Sequence, residues 1–417
     1  MVDRTAHQTC LIIGASHAGV NAAFALRKQG WKGNIKLFDR EPELPYHRPP
    51  LSKVFLSGDT GVEDSLLKGI SSYESENIDL QTGRSVTEIL PKDKIVRLSD
   101  GETCSYDQLL LATGASPLMP PIPGLKSSHK IFGLRTAADA RGIRNAFFAS
   151  SGKRVVVIGG GYIGLEAAAS LRKLGGRVTV LEREERVLAR VTSPEMSAFF
   201  TRLHTDKGVS IATGRNVTAI EIKGSELEVF CGDGSRYAAD MLIVGVGVVV
   251  NTALAQMAGL KISNGIAVNA RMQTSDPDIY AIGDCTSFFH PRYKKEIRLE
   301  SVQNAVDQAK VAAANICGIP TEYASLPWFW SDQFEVKLQM CGLASGYDRL
   351  VVRREEGDDP HQHSCWYFSG DKLLAVDAVN HARAYMLGMK LLKEGKHPAP
   401  EKLEDLSLAL HPRTVLA

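Results

Sequence analysis

Val155-Val156-Val157-Ile158-Gly159-Gly160-Gly161-Tyr162-Ile163-Gly164 runs four apolar residues into a glycine-rich turn, and an Ala-rich helical stretch follows. The same design stands at the N-terminus, where Cys10-Leu11-Ile12-Ile13 leads into Gly14-Ala15-Ser16-His17-Ala18-Gly19. A buried parallel strand, a glycine turn and a helix in that order is the dinucleotide-binding arrangement. The first glycine allows the tight bend, the second admits a pyrophosphate to the backbone, and the third lets the helix pack on the strand. The phosphates then meet the unpaired N–H groups and positive dipole of the helix N-terminus. The mid-chain copy carries all three positions as Gly159, Gly161 and Gly164. The N-terminal copy has Ser16 in the middle, which crowds the pyrophosphate but brings a hydroxyl donor.

Each unit ends its second strand with an acid, Asp39 after Ile35-Lys36-Leu37-Phe38 and Glu182 after Val178-Thr179-Val180-Leu181. A carboxylate at that spacing meets a ribose 2′-OH and repels a 2′-phosphate. Glu182 therefore points to NADH rather than NADPH, while Arg183 and Arg190 nearby leave room for a phosphate. Two dinucleotide sites on one chain make an electron relay, where one would make a dehydrogenase.

At 417 residues, 44% of them hydrophobic, the chain supports two or three domains with their own cores. A formal net charge of +2 gives no global attraction to nucleic acid or membrane, so an acidic partner must find a local basic patch. There is no long apolar span, and Met1-Val2-Asp3-Arg4-Thr5 has no signal-peptide character, so a cytoplasmic protein is expected. The seven cysteines, at 10, 104, 231, 285, 317, 341 and 365, form no CxxC or CxxxxC pair, which removes a redox dithiol and a zinc cluster; no metal is expected. The segment from Glu41 to Lys53 also lacks the single cysteine that some flavoproteins use.

Composition divides the chain at Ala112-Thr113-Gly114-Ala115-Ser116-Pro117 with the proline-rich stretch after it, and at Val244-Gly245-Val246-Gly247. The expected fold class is α/β, with two Rossmann-like dinucleotide-binding domains. Residues 1–115 and 245–325 form one of them, interrupted by 116–244 as the second. From 326 to 417 short alternating strands, as in Glu335–Met340 and Arg349–Arg353, precede a helix near Ala382–Lys393, which reads as a small α+β domain.

Several longer signatures coincide with these turns: Pro45-Tyr46-His47-Arg48-Pro49-Pro50-Leu51-Ser52-Lys53, Ala112-Thr113-Gly114, Ile279-Tyr280-Ala281-Ile282-Gly283-Asp284-Cys285, Glu300-Ser301-Val302-Gln303-Asn304-Ala305 and Trp328-Phe329-Trp330-Ser331-Asp332-Gln333. Together, and nearly end to end, the chain resembles the FAD-dependent NADH:ferredoxin reductases of bacterial oxygenase systems, the putidaredoxin reductase type. It departs at Val250, where the family usually has proline before Asn251, a change expected to cost the rigidity of a loop there and little else. The resemblance implies a glutathione-reductase-like domain arrangement, FAD and NADH as cofactors, and a 2Fe-2S ferredoxin as electron acceptor. It places FAD along Gly14, Ser16, His17, Ala18 and Gly19, with Asp39 at the adenosine ribose, Arg48 and Arg135 near the phosphates, and Arg40 among the cofactor contacts. Val86, Ala112, Thr113 and Gly114 join the FAD contacts, Gly283 and Asp284 hold the ribityl chain, and Ser301-Val302 presents a helix N-terminus to the pyrimidine edge of the flavin. NADH falls to Gly159, Gly161, Tyr162, Ile163, Gly164, Glu182, Arg190 and Gly245.

Lys53 under the flavin and Glu166 as its partner are the implied catalytic pair, because a buried ammonium needs compensation; a structural salt bridge is the other reading of the same two residues. Trp330 reads equally as a residue near the flavin or as core. Lys310 and the loop Arg292-Tyr293-Lys294-Lys295-Glu296-Ile297-Arg298 are candidates to receive an acidic ferredoxin, or an ordinary solvated charge run. A monomer or weak homodimer is expected. Rubredoxin or nitrite reductases, and redox-sensing flavoproteins of the apoptosis-inducing-factor kind, share the plan and stay open as alternatives.

Overall fold

In a computed structural model of the chain, residues 7–58, 60–126, 128–224, 226–355 and 359–416 are described, so the reading of Met1–Thr5 lies outside them. The chain separates into two compact units. Unit 1 is Met1–Arg48, Gly61–Ser116 and Val248–Ser325, and unit 2 is Pro49–Thr60, Pro117–Gly247 and Leu326–Ala417. Composition sets its first boundary near residue 115 and does not separate the short piece Pro49–Thr60. That piece is held in unit 2 by Leu56, which is fully buried in a core with Ile143, Phe147 and Leu165.

Unit 1 is built on a five-stranded parallel sheet in the order Ile279–Ala281, Gln108–Leu111, Thr9–Ile13, Asn34–Phe38, Ile78–Gln81. Its central strand is covered on both faces, which is why Cys10 to Ile13 read as one continuous apolar run. Helix His17–Lys28 packs against helix Val302–Ile316. Ala18, Ala22 and Ala23 on the first helix and Ala305, Ala309 and Ala312 on the second are buried, and such short side chains let two helices approach closely. A three-stranded antiparallel meander, Val86–Leu90, Ile95–Leu98 and Thr103–Ser105, precedes strand Gln108–Leu111.

Unit 2 repeats this plan. Its parallel sheet runs Ser210–Ala212, Arg177–Leu181, Arg154–Ile158, Met241–Val244, Ile131–Phe132, and its meander is Val217–Lys223, Glu226–Cys231 and Arg236–Ala239. Helix Ala137–Ala149 begins with a capping box, in which Thr136 Oγ1 accepts from the Asp139 amide at 3.1 Å and Asp139 accepts from the Thr136 amide at 2.8 Å. The same unit holds a five-stranded antiparallel sheet in the order Trp328–Gln333, Val336–Gly342, Lys372–Val379, His363–Ser369, Arg349–Arg353, followed by helix Ala382–Glu394.

Two local expectations change. Val248–Val250 is a strand rather than a loop, so the residue before Asn251 is held by strand geometry and the missing proline costs no loop rigidity. The basic run Arg292–Arg298 is not an open loop: strands Thr286–His290 and Lys295–Ile297 pair antiparallel across it, and Arg298 is ion-paired with Glu300.

Candidate functional site

The two glycine turns have the same atomic design. Gly14 and Gly159 stand at φ of 104° and 107°, a region open to glycine, and each donates its amide across the sheet, to Phe38 and Leu181 respectively, at 2.8 Å. A Cβ at Gly19 would lie 1.8 Å from the Gly14 carbonyl oxygen, and one at Gly164 would lie 2.1 Å from that of Gly159, so both glycines are demanded by helix–strand packing. Gly161 differs. A Cβ there meets nothing nearer than the Gly245 carbonyl oxygen at 4.0 Å, so packing does not explain the glycine. The space it leaves open at a 12-residue helix N-terminus is what a pyrophosphate needs, and the chain therefore fits a dinucleotide at this turn.

Ser16, the counterpart of Gly161, has extended backbone and makes no capping bond of its own. Arg48 Nε donates to its hydroxyl at 3.3 Å. Arg48 in turn pairs with Glu41 at 2.5 Å and lies over the Tyr46 ring at 4.5 Å, and its contacts with Glu41 hold the Glu41 carboxyl below the usual range. The guanidinium is thereby fixed beside the N-terminal turn.

Asp39 and Glu182 are equivalent to the level of hydrogen bonds. Asp39 accepts from the Ala15 amide at 2.6 Å and the Glu41 amide at 2.9 Å, while Glu182 accepts from the Gly160 amide at 2.6 Å and the Glu184 amide at 2.8 Å. Each carboxylate thus ties its strand end to the glycine turn. Partial burial raises the pKa of Asp39, and these two amides act against that rise. Arg183 is exposed and engages Glu184 at 2.9 Å. Arg40 and Arg190 are exposed.

The remaining unit 1 residues stand where its strands and helices begin or end. Ala112, Thr113 and Gly114 follow strand Gln108–Leu111, and Asn251 clasps them: its amide nitrogen donates to the Thr113 carbonyl at 2.8 Å, and Thr113 Oγ1 donates to its carbonyl at 2.7 Å. Val86 opens the first meander strand. Gly283 begins a short 3-10 turn that contains Asp284, and its amide donates to Gln308 Oε1 at 2.7 Å. Ser301 caps the 15-residue helix Val302–Ile316 through the Asn304 amide at 3.1 Å.

Lys53, Glu166, Arg135 and Trp330 belong to unit 2, along with Tyr162, Ile163, Glu182, Arg190 and Gly245. Lys53 precedes the short helix Val54–Ser57, and its Nζ lies 2.8 Å from Glu166 Oε2. Glu166 is 3% exposed and accepts from Ser52 Oγ at 2.5 Å and from Ser331 Oγ at 2.6 Å as well. Arg135 lies just before the Thr136 cap. Trp330 is half-buried and not in the core; its ring lies 5.6 Å from that of Trp328 and 6.4 Å from that of Phe329. Strand alternation turns Phe329, Ser331 and Gln333 to the other face, where Phe329 meets Tyr162 at 4.9 Å. Ser52, Ser331, Gln333 and Asn251 do not stand out from the sequence by residue type. The alternation within Trp328–Gln333 is the signal that pairs Ser331 with Gln333.

All seven cysteines are free thiols. Among the described residues no group of three or more His, Cys, Asp or Glu side chains is arranged to hold a metal ion, and no helix is long and apolar enough to cross a membrane.

Residues 8–309 match the pyridine nucleotide-disulphide oxidoreductase family, and 328–413 match the reductase C-terminal family. The chain belongs to the pyridine nucleotide-disulphide oxidoreductase family. It is an oxidoreductase whose cofactors are FAD and NAD(H). It is 42% identical to putidaredoxin reductase CamA of Pseudomonas putida, over 97% of this chain and 96% of that protein. To rhodocoxin reductase of Rhodococcus erythropolis it is 41% identical over 96% and 93%. The reductase in the crystal structure of the covalent putidaredoxin reductase–putidaredoxin complex superposes with a TM-score of 0.93 at 42% identity, covering 98% of each chain. This bears out the resemblance to the putidaredoxin reductase type and the α/β fold class.

Proposed function

We propose that this oxidoreductase takes hydride from NADH onto FAD and passes electrons singly to a 2Fe-2S ferredoxin feeding a cytochrome-type monooxygenase or ring-hydroxylating dioxygenase. The observation that carries this reading is the end-to-end likeness to ferredoxin reductases, including one solved in covalent complex with its ferredoxin.

In this assignment residues 1–115 and 245–325 bind FAD, 116–244 bind NADH, and 326–417 form the C-terminal domain. FAD lies along Gly14 to Gly19, with Asp39 at its ribose, Arg48 near its phosphates and Asp284 at the ribityl chain. NADH lies along Gly159 to Gly164 with Glu182 at the 2′-OH. The clamped geometry of Glu182, and the capture of Arg183 by Glu184, support NADH over NADPH. Flavin chemistry, with FAD bound, joins a two-electron donor to a one-electron acceptor. The protein contributes alignment and charge: no general acid or base is needed for hydride transfer itself, and Lys53, held in place by Glu166, supplies a fixed cation. The exposed Lys310 and the Arg292–Arg298 hairpin are the proposed ferredoxin-facing cations. The protein is assigned to the cytoplasm as a monomer or weak homodimer.

The decisive experiment is anaerobic mixing of the holoprotein with NADH, followed by oxidised 2Fe-2S ferredoxin, with flavin absorbance recorded throughout. Bleaching followed by fast recovery is expected. Recovery with rubredoxin but not ferredoxin would replace the acceptor, and a bleached state that persists with either would favour a redox sensor.

A further inference from the structure

A chain of hydrogen bonds runs from Glu166 away from Lys53 and into the interior of unit 2. Ser331 Oγ lies 2.6 Å from Glu166 Oε1, Gln333 Nε2 lies 3.1 Å from Ser331 Oγ, and Gln333 Oε1 lies 2.8 Å from His204 Nε2. Glu166 is 3% exposed, and Ser331, Gln333 and His204 are fully buried.

The direction of every bond follows from proton counting. Ser331 has one hydroxyl proton, and at 2.6 Å from a carboxylate oxygen it must point there. Ser331 can then only accept from Gln333, which requires the Gln333 amide nitrogen on that side. The opposite amide orientation would leave two oxygen lone pairs facing each other. Gln333 Oε1 is thereby the acceptor for His204, which must carry its proton on Nε2. His204 Nδ1 is left as a bare acceptor with no partner among the described residues. Burial pushes the His204 pKa down to about 4, so the ring is neutral near pH 7. On its other oxygen Glu166 receives Ser52 Oγ and Lys53 Nζ, so all three neighbours donate to it. Tyr162, on the same helix as Glu166, is held in the phenol form by burial and by the charges of Asp377 and Glu166. His204 otherwise meets the edge of the Phe334 ring at 5.0 Å.

We infer that Ser331, Gln333 and His204 form a one-directional positioning relay that fixes the orientation of the Glu166 carboxylate and, through it, holds Lys53 Nζ in place for flavin reduction. The inference rests on the proposed role of the Lys53–Glu166 pair. Among the described residues Lys53 Nζ bonds to Glu166 and to the Pro49 carbonyl and to none of the three relay residues, which act through Glu166.

Two measurements test the relay. Nitrogen-15 NMR of the histidine-labelled holoprotein should find His204 as the Nε2–H tautomer near neutral pH; an Nδ1–H signal reverses the polarity and overturns the relay. Rapid-mixing measurements of flavin reduction by NADH supply the second. Without its hydrogen bond the carboxylate can turn away from Lys53, so Ser331→Ala should slow flavin reduction by about tenfold with the KM for NADH unchanged, and Ser331→Thr, which keeps the hydroxyl, should restore the rate. Glu166→Gln should slow it at least as much. A rate lowered in Glu166→Gln but unchanged in Ser331→Ala overturns the relay while leaving the ion pair in place. A rate unchanged in both Glu166→Gln and Lys53→Ala removes the underlying pair reading instead.

Discussion

Glu182 is gripped by two backbone amides, so its carboxylate is oriented before any nucleotide arrives. A preset acceptor of this kind recognises a ribose hydroxyl through a charge-assisted bond and repels a 2′-phosphate. Glu182→Ala should narrow the ratio of kcat/KM for NADH over NADPH by about tenfold, equal to ~1.4 kcal/mol. An unchanged ratio in steady-state kinetics would remove Glu182 from the ribose site. Asp377 illustrates a different residue-level balance. Fully buried, it accepts from Tyr367 OH at 2.5 Å and Thr192 Oγ1 at 2.7 Å, yet burial still pushes its pKa up to about 6. A carboxyl raised from its ordinary value of 3.8 holds its proton longer in the folded state than in the unfolded one. Its neutral form therefore leaves stability intact below about pH 4, and that stability is lost as pH rises to about 6. Asp377→Asn should gain on the parent chain by up to ~3 kcal/mol between those limits. Denaturant midpoints at pH 5 and pH 7.5 measure the difference, and a gap that does not change with pH would contradict it.

At the scale of the element, the strand–turn–helix units separate two uses of glycine. Gly164 is crowded by the Gly159 carbonyl, whereas Gly161 faces open space. Gly164→Ala should force the helix off its strand and cost about 1–3 kcal/mol, as overpacking does. Gly161→Ala should leave the thermal midpoint unchanged and raise the KM for NADH several-fold, because only the ligand meets the new methyl group. Loss of stability in Gly161→Ala, measured by thermal unfolding, would show that its role is structural. These turns are legible in the sequence because all their determinants fall within about 30 residues: an apolar strand, three small positions and an acid at the next strand end. The support around Glu166 is not legible in the same way. The Ser52 contact spans 114 residues of chain and the Ser331 contact 165, and no periodicity records a meeting at that separation. Lys53 and Glu166 are reached from the sequence only through a family resemblance, Ser331 and Gln333 only as neighbours on one strand face, and His204 not at all.

For the whole molecule, the small net charge hides how the cations are placed. Lys310 is 63% exposed at its side chain, although Asp307 lies 3.1 Å from it, and Arg298 is spent on Glu300. The proposed patch therefore works as a field more than as fixed bonds, and fields between exposed charges are screened by salt. Ferredoxin-dependent turnover should fall by about tenfold between 0.05 and 0.5 M salt, with NADH-driven flavin bleaching nearly constant. Turnover that ignores salt would move the docking surface elsewhere. The duplicated plan of the two units was visible in the glycine turns, but the allocation of Pro49–Thr60 to unit 2 was not, since it depends on Leu56 finding a distant core. One asymmetry within the duplication has a kinetic meaning. Beside the N-terminal turn Arg48 is braced by Glu41 and bonded to Ser16, a pair that a ligand bound as proposed would have to disturb on leaving, while at Gly161 bare backbone offers nothing to unfasten. Under the proposed assignment one nucleotide is a tenant and the other a visitor: the first survives dilution and gel filtration, and the second comes and goes with each turnover.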